Sequence, residues 1–234
     1  MSMITENVVQ IRSRIAAAAR AAGRDPADIR LCAATKMNDS AAVREAIAAG
    51  VDCCGENRVQ ELVKKLDEHA YDGAPVHFIG ALQRNKVRQV VGQVDVIESV
   101  DRRELLADIN AEAAKRGIVQ DILLEINAGG EKQKSGFLLK EFPRIVEDYP
   151  AVRVRGLMTV PPIGRKKGDN CRYFQKIRRI AVDITAQKYD NIFMDFLSMG
   201  MTDDFEDAIA CGSTMVRIGT AIFGPRNYAP VKSD

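Results

Sequence analysis

The sequence has no tryptophan, only two histidines and only five cysteines among its 234 residues. No cysteine pair has the C-x-x-C spacing of a zinc or redox site, and an odd number of cysteines does not suit a secreted disulfide framework. Cys53 and Cys54 are adjacent in the chain, so a disulfide between them would strain the backbone. We therefore expect reduced, partly buried thiols and a cytoplasmic location.

The sequence also has little net charge and no long hydrophobic run. Its 34 basic and 32 acidic residues give a net charge of +2, so it lacks the basic excess of a nucleic-acid or membrane-surface binder. The basic clusters at 165–167 and 178–179 are short and are predicted to be solvated surface. The N-terminal segment MSMITENVVQIRSRI interrupts its apolar residues with polar ones, which predicts neither a signal peptide nor a membrane span.

Glycine and proline are also scarce, at 17 and 8 residues, which excludes collagen-like and low-complexity chains. The remaining composition, 46% hydrophobic and 28% charged, is typical of a globular protein. A length of 234 residues is close to the roughly 250 residues of a single (β/α)8 barrel, and it leaves no room for a barrel plus a second full domain. We therefore treat residues 1–234 as a single domain.

Helical and strand-like segments alternate along the whole chain. A leading amphipathic helix is predicted over 5–22, closed by Gly23. Short apolar runs of the buried-strand type then occur at 31–35, 51–54, 76–79, 94–97, 122–126, 152–158, 192–197 and 215–218. Helices are predicted between them at 41–49 with Ser40 as its N-cap, and at 58–70, 85–91, 102–116, 139–148, 170–188 and 205–210.

This alternation predicts the α/β class with a parallel sheet. Eight strands with short connections give a (β/α)8 TIM-type barrel with an extra N-terminal helix if the sheet closes. A doubly wound open sheet is the alternative, because periodicity cannot show closure. In a barrel, the functional residues are expected just after the strands, at their C-terminal ends.

Lys36 directly follows the first apolar run. At the mouth of an apolar barrel, desolvation would lower the pKa of this amine from about 10.4 and make it available as a Schiff-base nucleophile. A strand-end lysine that reaches water through its aliphatic stem is the alternative. His77 and Met158 lie within predicted strands, where a hydrogen-bonded wall residue and a packing residue are the ordinary interpretations.

The loops after the last two strands combine glycine with hydroxyl residues. They read Ser198-Met199-Gly200-Met201-Thr202 and Arg217-Ile218-Gly219-Thr220-Ala221. Barrels frequently bind phosphate with these two loops, although an ordinary turn would also explain each of them. Together with Lys36 they predict a ligand that has an aldehyde at one end and a phosphate at the other.

A family resemblance rests on ordered segments that span positions 34 to 224. They are ATK at 34–36, GENRVQE at 55–61, HFIGALQRNK at 77–86, KSG at 134–136, RGLM at 155–158, LSMGMTDD at 197–204 and GSTMVRIGTAIFG at 212–224. The chain resembles the pyridoxal phosphate homeostasis proteins, single-domain proteins that bind pyridoxal 5′-phosphate (PLP) and are related in fold to the N-terminal barrel of bacterial alanine racemase. The family often has serine where this chain has Thr35 and Thr202, and threonine keeps the hydroxyl at both positions.

The resemblance implies a role for ten residues. Lys36 would form an imine with the aldehyde of PLP, and Arg217 would face the pyridine nitrogen. Ser198, Gly219 and Thr220 would hold the phosphate with Gly200 and Met201 nearby, and Asn57, His77 and Met158 would line the ring pocket.

The same cofactor site would serve either a carrier or an enzyme. Racemisation needs an acid/base group on each face of the substrate carbon, and in alanine racemases a separate β-domain supplies the second group, a tyrosine. None of the five tyrosines here is an obvious equivalent, and a cation at position 217 weakens the ring as an electron sink. The resemblance implies a non-enzymatic protein of PLP homeostasis, a carrier that would pass PLP to apo-enzymes. Without the racemase-type dimer interface that the β-domain provides, we expect a monomer. An amino-acid racemase is the alternative, and a Schiff-base aldolase is a more distant one.

Overall fold

Eight parallel strands close into a barrel in sequential order. The computed structural model describes residues 2–130, 136–137, 149–164, 166–187 and 189–225. The strands are β1 Arg30–Ala34, β2 Cys53–Glu56, β3 Val76–Phe78, β4 Val96–Val100, β5 Gln120–Glu125, β6 Val152–Met158, β7 Ile192–Ser198 and β8 Met215–Ile218. β1 pairs with β8 from Arg30↔Met215 to Ala33↔Ile218, which confirms the predicted barrel and excludes the open sheet.

Helices connect the strands on the outside. They are α1 Met3–Ala21, α2 Ser40–Ala48, α3 Val59–Asp67, α4 Arg103–Lys115, α5 Cys171–Thr185, α6 Phe205–Ala210 and α7 Thr220–Phe223. Within the described residues, none of these helices is long and apolar enough to cross a membrane. The helix predicted over 139–148 lies outside the described residues.

Several local predictions differ from the structure. The helical segment predicted at 85–91 is a 3₁₀ helix over Arg84–Gln89, and the strand predicted at 94–97 is β4 at Val96–Val100. Asp39, not Ser40, caps α2, because the Asp39 carboxylate accepts a hydrogen bond from the N–H of Ala42. β2 begins at residue 53 rather than 51, since the N–H of Val51 still bonds back to α2 at Ala46 O, 3.4 Å away.

The strands separate two apolar regions because alternate side chains face opposite sides of a sheet. One set, including Leu31, Phe78 and Ile97, packs against the helices. The other set fills the barrel interior and comprises Cys32, Cys53, Val96, Leu123, Met158, Phe196 and Met215. The interior therefore has a packed apolar layer, as expected for a barrel of this size.

Helix α1 covers the seam where the barrel closes. α7, which follows β8, is only four residues long and cannot cover that seam alone. α1 packs against α2 on one side and against α6 and α7 on the other, and Asn7 Nδ2 donates to Ile222 O at 2.9 Å. Its inner face buries Val8, Ile11, Ile15 and Ala19.

We predict that Ile11→Ala lowers the free energy of unfolding by about 2–4 kcal/mol, because it removes a buried side chain and leaves a cavity beneath α1. Val9 lies on the same helix but is 54% exposed, so Val9→Ala should change this value by less than about 0.5 kcal/mol. Urea unfolding of both variants measures the difference. Equal effects would show that α1 is not a stabilising part of the barrel wall.

Candidate functional site

Closure of the barrel brings residues from the two ends of the sequence into one cavity. Since Ala33 on β1 pairs with Ile218 on β8, the residues that follow these strands are neighbours. They bound a cavity of about 200 Å³, lined by Ala34, Lys36, Met37, Asn38, Gly219, Thr220, Phe223, Gly224 and Pro225. This volume is below the roughly 300 Å³ minimum of drug-sized ligand pockets, so the cavity suits a smaller molecule. The structure therefore places Lys36, Gly219 and Thr220 together.

A buried polar network lies inside the barrel, built around Glu98 of β4. Glu98 Oε1 lies 2.7 Å from His77 Nδ1, and Glu98 Oε2 accepts a hydrogen bond from Ser198 Oγ at 2.5 Å. Arg217 Nη1 lies 3.8 Å from the same carboxylate. Arg217 also donates to Ser198 O, to Ser198 Oγ and to Thr159 O, at 2.7, 2.6 and 2.9 Å. Every charge in the network therefore has a partner, as burial requires.

The pKa values of His77 and Glu98 are shifted in a way that favours an ion pair. Burial alone would lower the pKa of His77, but the hydrogen bond and charge of Glu98 outweigh it and the pKa is raised. Burial alone would raise the pKa of Glu98, but His77, Arg217 and Ser198 lower it below its ordinary value. His77 and Glu98 thus stabilise each other's charged forms.

Glu98 is the site residue that the sequence interpretation missed. It stands in the apolar segment VIESV, and strand alternation turns its side chain into the barrel. A lone carboxylate in a buried strand is the signal that could have identified it, because such a charge requires a buried partner.

The phosphate-binding residues expected from β7 do not line the Lys36 cavity. The hydroxyl of Ser198 is engaged with Glu98 and Arg217 inside the barrel. Gly200 has φ +96°, and a Cβ there would lie 2.7 Å from Ala208 Cβ, so its conformation and its packing on α6 account for the glycine. Met201 lines a separate cavity of about 600 Å³ between the loop at 160–164 and α6.

The residues expected to line the ring pocket lie just after β2 and inside the barrel. Asn57 follows β2, and its side-chain oxygen is buried without a hydrogen-bond partner. Gly80 packs against it so closely that a Cβ at Gly80 would lie 2.1 Å from Asn57 O. His77 and Met158 face the interior, where His77 meets the ring of Phe196 edge to face at 6.2 Å.

Glu125, at the end of β5, is a half-buried carboxyl whose charge interacts with that of Arg217. Burial and the charge of Asp101 raise its pKa to about 7, whereas Arg217 acts in the opposite direction. In the part of the chain that the structure describes, no group of three or more His, Cys, Asp or Glu residues is placed to hold a metal ion.

The His77–Glu98 pair predicts a specific pH dependence of stability. Because the pKa of His77 is raised on folding, its contribution is fully present below the unfolded pKa of 6.5 and is lost as pH rises through the folded value. The free energy of unfolding should therefore fall as pH rises above about 6.5 in the wild type, and His77→Gln should remove most of this fall. Urea titrations at a series of pH values measure it.

The other histidine provides the control. His69 is exposed, with its nearest carboxylate 3.6 Å away at Asp72, so His69→Gln should keep the wild-type pH profile. An unchanged pH slope in His77→Gln would contradict the ion pair as its source.

Comparison with known proteins identifies relatives over almost the whole chain. Residues 7–227 match the family model described as alanine racemase, N-terminal domain. The chain is 41% identical over 226 residues to the pyridoxal phosphate homeostasis protein of Aquifex aeolicus, covering 95% of this chain and 98% of that protein.

Two solved structures have the same fold over 94% of this chain. One is an unknown protein from Bifidobacterium adolescentis, with 39% identity, a TM-score of 0.89 and coverage of 94% of that chain. The other is PipY of Synechococcus elongatus with PLP bound, with 32% identity, a TM-score of 0.81 and coverage of 100% of that chain. The chain therefore belongs to the alanine racemase N-terminal domain family and, within it, to the pyridoxal phosphate homeostasis proteins.

Proposed function

We propose that this protein binds PLP through Lys36 and serves in intracellular PLP homeostasis as a carrier and buffer of the cofactor. The observation that carries the proposal is the cavity at the closure of the barrel, where Lys36 from β1 and the Gly219–Thr220 loop from β8 line one space. The name of the Aquifex aeolicus relative and the PLP bound to PipY support it.

Lys36 would hold the aldehyde end of PLP. Its amine would attack the aldehyde carbon, and loss of the carbonyl oxygen as water would leave a C=N bond, a Schiff base. When bound, PLP supplies an electrophilic aldehyde and an electron-accepting ring. The protein would use the aldehyde for reversible attachment, since the bond is reversed by water or by another amine.

Gly219 and Thr220 would bind the phosphate. Gly219 precedes α7, so the N–H groups of the first residues of that helix lie at its N-terminus, where they could donate to an anion. The side chain of Thr220 is exposed beside them and can donate a hydroxyl hydrogen. A Cβ at Gly219 would come within 3.4 Å of Ala34 Cβ, so the glycine keeps this loop close to β1. Ser198, Gly200 and Met201 support the phosphate loop from β7 in this proposal.

The ring would lie over the interior network, next to Asn57, His77 and Met158. Asn57 has a buried oxygen without a partner, which is suited to accept a hydrogen bond from a ring hydroxyl. Arg217 would face the pyridine nitrogen and disfavour its protonation. A less protonated ring is a weaker electron sink, which suits storage of PLP better than carbanion chemistry.

A carrier role also agrees with the chemistry around Lys36. Racemisation requires a second acid/base group opposite the lysine. Within the described residues, the lining of the Lys36 cavity includes no tyrosine, histidine or carboxylate. An amino-acid racemase is therefore the less favoured function.

We further infer a single domain over residues 1–234, a monomer in the cytoplasm that passes PLP to apo-enzymes. The five cysteines are free, which supports a reducing compartment.

We expect wild-type protein mixed with PLP to gain the visible absorbance of a Schiff base, and borohydride to fix PLP on Lys36. Lys36→Ala should lose both signals, because no other amine lines the described cavity. Lys64→Ala, which removes an exposed lysine of α3, should keep both. Absorbance spectra and mass spectrometry of peptides measure the result.

A wild-type protein that takes up no PLP would contradict the proposal. Incubation of the PLP-loaded protein with L-alanine and other amino acids tests the alternative. Racemisation well above that of free PLP would replace the carrier role with a racemase.

The phosphate role of Thr220 predicts a selective loss of affinity. Thr220→Val keeps the shape of the side chain and removes its hydroxyl, so PLP affinity should fall by about tenfold. Affinity for pyridoxal, which has the aldehyde and no phosphate, should stay nearly unchanged. Absorbance titrations of both ligands with both proteins give the comparison, and an equal loss for the two would place Thr220 away from the phosphate.

A further inference from the structure

Helix α3 holds the turn that carries Lys36. This helix begins at Val59, inside the segment GENRVQE at 55–61, and ends at Asp67. The proposed cofactor site uses only Asn57 of that segment. Two charged residues of α3, Glu61 and Lys65, contact the backbone on either side of Lys36.

The turn has a conformation that needs support. The N–H of Asn38 donates to Thr35 O at 3.2 Å, and Asn38 Nδ2 donates to Lys36 O at 3.0 Å. Met37, the third residue of the turn, has φ +62°. This is a left-handed backbone conformation that residues other than glycine and asparagine rarely adopt. The turn therefore depends on contacts from outside.

Glu61 and Lys65 supply these contacts. Lys65 Nζ donates to Thr35 O at 2.8 Å, and the N–H of Met37 donates to Glu61 Oε2 at 2.7 Å. Glu61 Oε2 also lies 3.3 Å from Lys65 Nζ, with the two residues one helical turn apart. The residue before Lys36 and the residue after it are thus both tied to α3.

The position of α3 is itself fixed by a buried ion pair. Lys65 Nζ lies 2.6 Å from Glu56 Oε2, and Glu56 is completely buried at the end of β2. Glu56 also accepts hydrogen bonds from the N–H of Asn57 at 2.7 Å and from Tyr71 OH at 3.3 Å. Lys65 directs its donors to Glu56, Thr35 and Glu61 and does not line the Lys36 cavity. It therefore acts on the turn rather than on a ligand.

We propose that Glu61 and Lys65 are positioning residues that fix the Lys36 turn and so direct the Lys36 amine towards the Gly219–Thr220 loop. This inference rests on the proposed function, since it assigns a role in PLP attachment to residues that do not contact PLP. We call the two contacts, Met37 N–H to Glu61 and Lys65 to Thr35 O, the clamp. Without the clamp, Met37 leaves its left-handed conformation and Lys36 samples orientations that do not reach the aldehyde.

The clamp is tested first without PLP, through amide hydrogen exchange of Met37. Glu61→Ala removes the acceptor and should speed exchange at Met37 by about tenfold or more. Glu61→Gln keeps an acceptor oxygen at the same place and should remain close to wild type. Lys64→Ala, next to Lys65 but exposed on the same helix, serves as the matched control and should change nothing at Met37.

The effect on attachment is measured by titration with PLP. Glu61→Ala should weaken the apparent affinity by about tenfold and slow formation of the visible absorbance, while Glu61→Gln restores most of both. The melting temperature should stay close to wild type, because Glu61 is partly exposed at the barrel surface. Lys65→Met is a second variant, in which loss of stability is expected as well, since it leaves Glu56 buried and unpaired.

Each outcome decides the inference. Unchanged Met37 exchange in Glu61→Ala would overturn the clamp. Faster exchange with unchanged PLP affinity would overturn the positioning role and leave the proposed function intact. A wild-type protein that binds no PLP would instead overturn the proposed function. Weakened affinity in Glu61→Ala with recovery in Glu61→Gln supports the inference.

Discussion

The pairing of β1 with β8 is the interaction on which the candidate site depends. These strands are the first and last of the barrel, and their register aligns Ala33 with Ile218. Without that pairing, Lys36 and Thr220 would be far apart in space as they are in sequence. Helix α1 covers this seam from outside, so residues at the extreme N-terminal end of the described chain stabilise the site indirectly.

Two buried carboxylates organise the surroundings of this seam. Glu98 lies inside the barrel and binds His77, Ser198 and Arg217. Glu56 lies at the end of β2 and binds Lys65. Each carboxylate is completely buried and each is compensated by hydrogen bonds and a cation, which is the condition for keeping a charge out of water. The Glu98 network supports the proposed ring site, and the Glu56 network supports the turn of Lys36.

This arrangement separates the buried supporting networks from the Lys36 amine, the proposed point of PLP attachment. The polar network of the interior is fully buried, whereas the Lys36 turn and the Thr220 loop lie at the end of the strands, where a small ligand can enter and leave. A carrier of a reactive aldehyde needs a nucleophile that attaches reversibly and surroundings that do not promote further chemistry. The cavity lining and the cation at position 217 are consistent with both requirements.

The sequence by itself determined the alternation of strands and helices, because apolar periodicity follows directly from which faces are buried. Strands such as Val152–Met158 and Met215–Ile218 were predicted with their observed ends. The position of Lys36 at a strand end and the glycine loop at 219–220 were likewise evident from local pattern, and the family followed from ordered motifs.

Only the tertiary structure decided whether the sheet closes, which buried polar groups pair and which residues support the Lys36 turn. Three interactions join residues that are distant in sequence or on different elements. They are the pairing of β1 with β8, the hydrogen bond of Ser198 to Glu98, and the contacts of Glu61 and Lys65 with the Lys36 turn. Periodicity reports only whether a residue is buried. Which charge a buried carboxylate meets depends on strand register and helix placement, and these are fixed when the whole barrel packs.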